Sequence, residues 1–170
     1  YEKGLSLNGM SKSYGMPGLR IGWIATKDHD LLDRMEKMKH YLSICNSAPS
    51  EILAIIALNS RKKILDRTNK IVTKNLKILN KFFLEYEYLF DWKEPDGGCI
   101  GYPRYKGPDG VDVFCEKLIK QESVLLLPSK VYTSDIVKSP KNHFRIGYGH
   151  VNMLKGLELI KKFINKNYNK

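Results

Sequence analysis

The stretch of sequence that decides the fold is GMSKSYGMPGLRIG, residues 9–22. It follows a short apolar segment that predicts a strand over residues 5–11, and it contains a turn rich in Gly and Pro. A second apolar segment predicts another strand over residues 19–26, apolar enough to be buried on both faces. Lys12 therefore lies where the first predicted strand ends, and Arg20 lies near the start of the second.

A lysine and an arginine at these two places suit a ligand with both a carbonyl and an anionic group. A lysine amine forms a Schiff base with a carbonyl once burial or a neighbouring cation frees its neutral form. A guanidinium holds an anion through charge-assisted hydrogen bonds. Pyridoxal phosphate has both an aldehyde and a phosphate, so this pair of residues points to pyridoxal 5'-phosphate as the cofactor.

The same stretch resembles the lysine signature of the class I/II, fold type I, pyridoxal-phosphate aminotransferases. That signature fixes small, apolar, lysine, glycine and arginine residues at set spacings. The positions that match it are Gly9, Met10, Ser11, Lys12, Gly15, Met16, Gly18, Arg20, Ile21 and Gly22. A match of this length is far more specific than a single Ser-Lys pair.

The resemblance implies roles for residues of this stretch. Lys12 is the expected catalytic residue, which forms the Schiff base with the cofactor and then acts as general base. Arg20 is expected to bind the cofactor phosphate, and an arginine inside an apolar strand needs an anionic partner if it is buried. Ser11 or Ser13 is expected to add a hydroxyl to the phosphate site.

A second arginine lies in an apolar context near the end of the chain. Arg145 belongs to a predicted strand over residues 143–148, and the family places an arginine in such a strand. The resemblance implies that Arg145 binds the substrate α-carboxylate, whose planar shape suits a guanidinium. Tyr14, Tyr102 and Tyr148 are candidates for lining a pocket, with core or surface positions as the default interpretation.

The resemblance also implies the fold class, which is the C-terminal portion of an α/β pyridoxal-phosphate-dependent transferase. Residues 1–45 are expected to be the end of the large, mostly parallel-sheet domain. Residues 46–170 are expected to form an interdomain helix and a small α+β domain. Because the chain opens on Tyr1 and enters a strand almost at once, we expect it to be part of a longer protein, with other cofactor residues upstream.

Hydrophobic periodicity predicts the remaining elements. A helix over about residues 30–40 is expected to be capped by Asp28 or Asp30, and a long helical segment to about residue 88 is expected to break near Ser60. In the second half, we expect a strand at 99–105 and a buried strand at 124–128. The helix predicted at 110–122 is expected to face inward with Val113, Phe114, Leu118 and Ile119. A closing helix is predicted from 151 to about 167, with Leu154, Leu157, Ile160 and Ile164 on one face.

Composition limits the other classes of function. The net charge is +11 and the pI is near 9.5, but the lysines are scattered, which favours a solvated surface over nucleic-acid binding. No apolar run approaches the ~18 residues of a membrane span. Three cysteines without CxxC spacing favour neither disulfides nor a metal site, and they are typical of a cytoplasmic protein.

The function implied by the resemblance is transamination between an amino acid and a 2-keto acid by a homodimeric enzyme. Other fold type I chemistries stay open, namely C–S lyase, decarboxylase and acyl-CoA condensing reactions. A non-catalytic ligand-binding or regulatory domain is a further alternative, and so is a basic protein that binds polyanions.

Overall fold

The structure is a computed structural model that describes residues 3–168. The chain divides into two compact units, Tyr1–Thr68 and Asn69–Lys170. The two predicted domains begin at residue 1 and end at residue 170. Residues 1, 2, 169 and 170 lie outside the part of the chain that the structure describes.

Two strands open the first unit: β1 (Leu5–Gly9) and β2 (Gly22–Thr26) pair antiparallel along their whole length. Both strands are shorter than predicted, because the chain leaves the strand direction at Met10 and returns to it only at Gly22. A Cβ on Gly22 would lie 2.7 Å from the Asn8 carbonyl oxygen, so this end of the pair accepts only glycine. The two strands expected from a mostly parallel sheet are thus antiparallel to each other.

The prediction that the second strand is buried on both faces is wrong. Trp23 and Ile24 are 38% and 39% exposed, and Leu7 on β1 is 76% exposed. Within the described residues this sheet has two strands, and a two-stranded ribbon cannot cover its own faces.

Three helices follow, and their positions confirm the sequence predictions. They are α1 (His29–Leu42), α2 (Ala48–Asn59) and α3 (Arg61–Glu85), and the last begins in the first unit and ends in the second. The Asp28 carboxylate caps α1 by accepting a hydrogen bond from the Leu31 amide at 2.9 Å. The predicted break occurs at Ser60, between α2 and α3.

The first unit has a small core. Met10, Ala54 and Ala57 are its buried apolar residues among those described, and Tyr14, Met16, Leu19, Ile21, Leu58 and Ile64 pack against them. Because Met10 is fully buried, it fixes the point where the chain leaves β1.

The second unit combines short antiparallel strands with two further helices. Its elements are β3 (Phe90–Asp91), β4 (Ile100–Gly101), β5 (Arg104–Tyr105), α4 (Gly110–Glu122), β6 (Leu127–Pro128), β7 (Phe144–Gly147) and α5 (Met153–Asn167). Strand β7 lies between β4 and β6, and β3 pairs with β5. The α+β character predicted for this half is observed.

Two predicted strands are shorter in the structure. The strand expected over 99–105 is interrupted at Pro103, which lacks the amide hydrogen that a continuous ladder needs. The strand expected over 124–128 is reduced to β6, and Leu125, expected to be buried, is 65% exposed.

The helices of the second unit pack with faces slightly different from those predicted. On α4 the buried apolar face consists of Val111, Phe114, Cys115 and Leu118, whereas Val113 and Ile119 are 39% and 42% exposed. On α5, Leu154 is 46% exposed, and Phe163 joins Leu157, Ile160 and Ile164 in the core. These buried sets follow the i, i+3, i+4, i+7 spacing of one helix face more closely than the predicted sets do.

Candidate active site

The stretch that resembles the lysine signature forms a closed loop between β1 and β2. The Met10 amide donates to the Ile21 carbonyl at 3.0 Å, and the Met16 amide donates to the Met10 carbonyl at 3.0 Å. The loop ends in a short 3-10 helix, Pro17–Leu19. Backbone hydrogen bonds and the buried Met10 side chain therefore hold the whole segment in one conformation.

Lys12 lies in a turn of this loop. Its carbonyl accepts a hydrogen bond from the Gly15 amide at 3.1 Å, and Gly15 has a φ of +66°, which favours glycine. The Lys12 residue is exposed, and it lies three residues beyond Gly9, the last residue of β1. An amine presented in this way is accessible to a carbonyl ligand.

Arg20 lies outside the strand in which it was predicted. It is exposed, and it ends the 3-10 helix in a left-handed conformation with a φ of 55°. The expectation of a buried arginine inside an apolar strand is wrong, because the chain closes the loop before β2 begins. The left-handed conformation of a non-glycine residue costs about 1–3 kcal/mol and often marks a functional position.

The Arg20 guanidinium keeps most of its donors for a ligand. Its Nη1 donates to the Pro17 carbonyl at 2.9 Å, which fixes the direction of the side chain. A guanidinium has five N–H donors. The remaining donors can hold an anionic group, and no described carboxylate forms an ion pair with Arg20.

Ser11 and Ser13 flank Lys12 on the same loop. Ser11 is half-buried and Ser13 is exposed. The loop thus brings Ser11, Lys12 and Arg20 onto a single backbone segment of the first unit.

Arg145 belongs to the second unit, and it lies inside a strand as predicted. It is half-buried on β7, opposite Leu127 of β6. Its Nη1 donates to the Tyr132 hydroxyl oxygen at 3.4 Å. No carboxylate of the described residues lies within ion-pair distance of Arg145, so its charge has no acidic partner there.

Aromatic residues near Arg145 form a group that we call the ring cluster: Tyr102, Tyr132 and His143. Tyr102 stacks on His143 with ring centroids 5.0 Å apart, and it meets Tyr132 edge to face at 6.3 Å. Burial raises the pKa of the Tyr102 phenol, which keeps this ring neutral. Tyr102 was a sequence candidate, whereas Tyr132 and His143 were not.

Asn75 is a further residue that the sequence prediction missed. Its side-chain amide is buried on α3 and donates to the carbonyl oxygens of Tyr148 and His150, at 2.9 and 2.8 Å. The signal available in the sequence was the position of this asparagine next to the apolar stripe of Val72 and Leu79 on the predicted helix. Tyr148 itself is fully buried, so it is a core residue and not a pocket wall.

Other kinds of site find no support in the described part of the chain. No group of His, Cys, Asp and Glu side chains there is arranged to hold a metal ion. The three cysteines are free, and burial raises the pKa of the Cys115 thiol to about 12, which suppresses its nucleophilicity at neutral pH. Among residues 3–168, no helix has the length and apolarity to cross a membrane.

Comparison with known proteins identifies the family. Residues 1–160 match the profile of the family described as Aminotransferase class I and II. The chain is 34% identical over 169 residues to the (5-formylfuran-3-yl)methyl phosphate transaminase of Methanocaldococcus jannaschii, covering 97% of this chain and 43% of that protein. It is 28% identical to the aspartate aminotransferase of Bacillus subtilis, covering 97% of this chain and 42% of that protein.

A solved structure supports the fold. The chain superimposes on a PLP-dependent aminotransferase from Streptococcus suis with a TM-score of 0.88 and 28% sequence identity, covering 100% of this chain and 44% of that one. The chain thus spans less than half the length of these relatives, and the predicted fold class and resemblance are confirmed. The chain belongs to the class I and II aminotransferase family.

Proposed function

We propose that this chain is the C-terminal part of a pyridoxal-phosphate-dependent aminotransferase, which exchanges an amino group between an amino acid and a 2-keto acid. The observation that carries this proposal is the closed loop of residues 10–21, which presents Lys12 and Arg20 within a family match that spans residues 1–160. Residues 1–45 would be the end of the large domain of that enzyme, and residues 46–170 would be the interdomain helix and the small domain.

The residues of the loop fit the proposed cofactor chemically. A lysine amine can form a Schiff base with an aldehyde, and a guanidinium with free donors suits a phosphate. Lys12 would bind the aldehyde carbon through Nζ, Arg20 would bind the phosphate, and the Ser11 hydroxyl would add a hydrogen bond to it. Pyridoxal phosphate, when bound, supplies an electron sink for the bonds at the substrate Cα.

The protein's own residues would then perform the proton transfer and the orientation. Lys12 Nζ, once free, is the general base that takes the Cα proton and later returns a proton. Arg145 orients the substrate by holding its α-carboxylate through paired N–H donors, and its lack of a described acidic partner supports this role.

The proposal includes the setting of the enzyme. We infer a cytoplasmic homodimer that acts on small molecules and binds neither nucleic acid nor membrane. The three free cysteines fit a reducing compartment.

The test is reductive trapping on the longest native polypeptide that contains these 170 residues. Borohydride treatment in the presence of pyridoxal phosphate should attach the cofactor to the peptide that carries Lys12. Lys12→Ala should abolish both the trapping and the transamination. The control is Lys27→Ala, which removes another exposed lysine of the first unit and should change neither. Label on a different lysine, with Lys12→Ala still active, would refute the proposal.

A further inference from the structure

We propose that Tyr132 is a second binding residue for the carboxylate that Arg145 holds, with the phenol hydroxyl donating to one carboxylate oxygen. This inference rests on the proposed function, because it assumes that a carboxylate reaches Arg145. It adds a specificity-determining residue that the lysine signature does not contain.

The direction of the hydrogen bond between the two side chains is the first argument. A guanidinium has donors and no acceptor, so Arg145 Nη1 donates and the Tyr132 oxygen accepts, at 3.4 Å. The single proton of the phenol therefore points away from the arginine. That proton remains available for an anion that approaches the guanidinium.

The separation of the two groups is the second argument. An oxygen about 2.8 Å from each of two donor atoms, the usual charge-assisted distance, fits readily between donors that are 3.4 Å apart. A carboxylate oxygen can thus contact Arg145 Nη1 and the Tyr132 hydroxyl at once. The other carboxylate oxygen stays free for a second guanidinium N–H.

The support behind Tyr132 is the third argument. The edge-to-face contact with Tyr102 fixes the ring of Tyr132, and Tyr102 is itself stacked on His143. The short 3-10 helix Ser129–Tyr132 is held at its start by the Ser129 amide, which donates to the His143 carbonyl at 2.7 Å. The ring cluster therefore positions the hydroxyl before any ligand arrives, which lowers the entropic cost of binding.

The charge and exposure of the pair are the fourth argument. Tyr132 is 40% exposed and Arg145 is half-buried, so a small anion can reach both from solvent. With no acidic side chain of the described residues paired to Arg145, an incoming carboxylate displaces no internal ion pair.

The test compares Tyr132→Phe with Arg145→Lys in the longest native polypeptide that contains this sequence, loaded with pyridoxal phosphate. We expect Tyr132→Phe to raise KM for both the amino acid and the 2-keto acid about tenfold, the effect of losing one hydrogen bond to a charged group. We expect kcat to stay within about twofold, since the contact forms in the ground state as well. A primary amine without a carboxylate should react equally well with the wild type and Tyr132→Phe.

Tyr41→Phe is the matched control, because it removes a phenol hydroxyl from a side chain that is 87% exposed on α1. It should leave both kinetic constants unchanged. If Arg145→Lys raises KM and Tyr132→Phe does not, the inference about Tyr132 is overturned and the role of Arg145 stands. If neither variant changes KM, the proposed role of Arg145 fails and the inference fails with it. An equal loss with the carboxylate-free amine would make Tyr132 a structural residue only.

Discussion

The two units of the chain differ in where their apolar side chains lie. In the second unit the ring of Phe114 is fully buried and contacts those of Phe90, Tyr105, Phe144 and Phe163, with centroids 4.5–5.9 Å apart. In the first unit, apolar residues of α2 face outward: Ile52, Leu53, Ile55 and Ile56 are 50–60% exposed. The second unit therefore has a core of its own, and the first has little.

This difference bears on how each functional residue is held. Lys12 and Arg20 depend on backbone hydrogen bonds within one loop and on the burial of Met10. Arg145 lies on a strand between two neighbours of a packed sheet. A helix that is apolar on most of its surface, as α2 is, is normally covered in a folded protein. The Lys12 loop thus lies in the unit with the weaker internal support.

The largest effect should come from removing the central ring of the second unit. Phe114→Ala should lower the free energy of unfolding of that unit by about 3–5 kcal/mol, because it loses buried area and leaves a cavity. Ile56→Ala, in the first unit, should cost less than about 1 kcal/mol, since Ile56 is 56% exposed. Urea unfolding followed by Trp92 fluorescence in a Trp23→Phe background reports on the second unit, and Trp23 fluorescence in a Trp92→Phe background reports on the first.

The controls for this experiment separate core loss from a general effect of truncation. Ile136→Ala removes a side chain that is 93% exposed in the second unit and should leave the urea midpoint unchanged. Equal losses for Phe114→Ala and Ile56→Ala would show that both units have cores of similar strength.

A somewhat smaller difference between the two units should appear in the rates of amide hydrogen exchange of the 170-residue chain. Amides of β2 should exchange at least about a hundredfold faster than those of α5, because local opening of a two-stranded ribbon exposes little apolar surface. Mass spectrometry of peptides from the two elements measures the ratio. Matching protection in both would contradict the idea that the first unit has the weaker core.

The sequence predicted most of the fold because its signals are local. The break between α2 and α3 at Ser60, the Asp28 cap and the extent of α4 all follow from caps and periodicity. The position of Arg20 could not be predicted from these local signals. Its place depends on the loop closing through the Met10–Ile21 hydrogen bond, which no local pattern encodes.

The residues that surround Arg145 also could not be predicted from local sequence patterns. Its strand could be predicted from the apolar residues Phe144 and Ile146. Tyr132 is 13 residues earlier in a polar loop, and it reaches Arg145 only through tertiary packing. Charged and aromatic residues brought together by such packing leave no periodic trace in the sequence, so the roles of the site residues stay predictions.

The smallest predicted effect concerns the Asp109 carboxylate, which accepts hydrogen bonds from three side chains of the second unit. Asp109 accepts hydrogen bonds from the Tyr105 hydroxyl at 2.7 Å, the Tyr168 hydroxyl at 2.8 Å and Lys117 Nζ at 2.9 Å. Burial alone would raise the pKa of Asp109, but the three hydrogen bonds outweigh it and the pKa is lowered. Asp109→Asn should therefore lower the free energy of unfolding by about 1–2 kcal/mol at neutral pH.

The pH dependence of this loss gives the sharper measurement. A carboxyl whose folded pKa lies below its unfolded value, ~3.9, stabilises the protein fully above that value and loses its contribution as pH falls through the folded pKa. The difference between wild type and Asp109→Asn should thus be constant from about pH 5 to 7 and shrink below about pH 4. Glu116→Gln removes an exposed carboxylate that pairs with Lys120, and because solvent screens this pair, its loss should be much smaller than that of Asp109→Asn at every pH. If the difference in the free energy of unfolding between wild type and Asp109→Asn stays unchanged below about pH 4, lost packing, and not the charge of Asp109, causes the destabilisation.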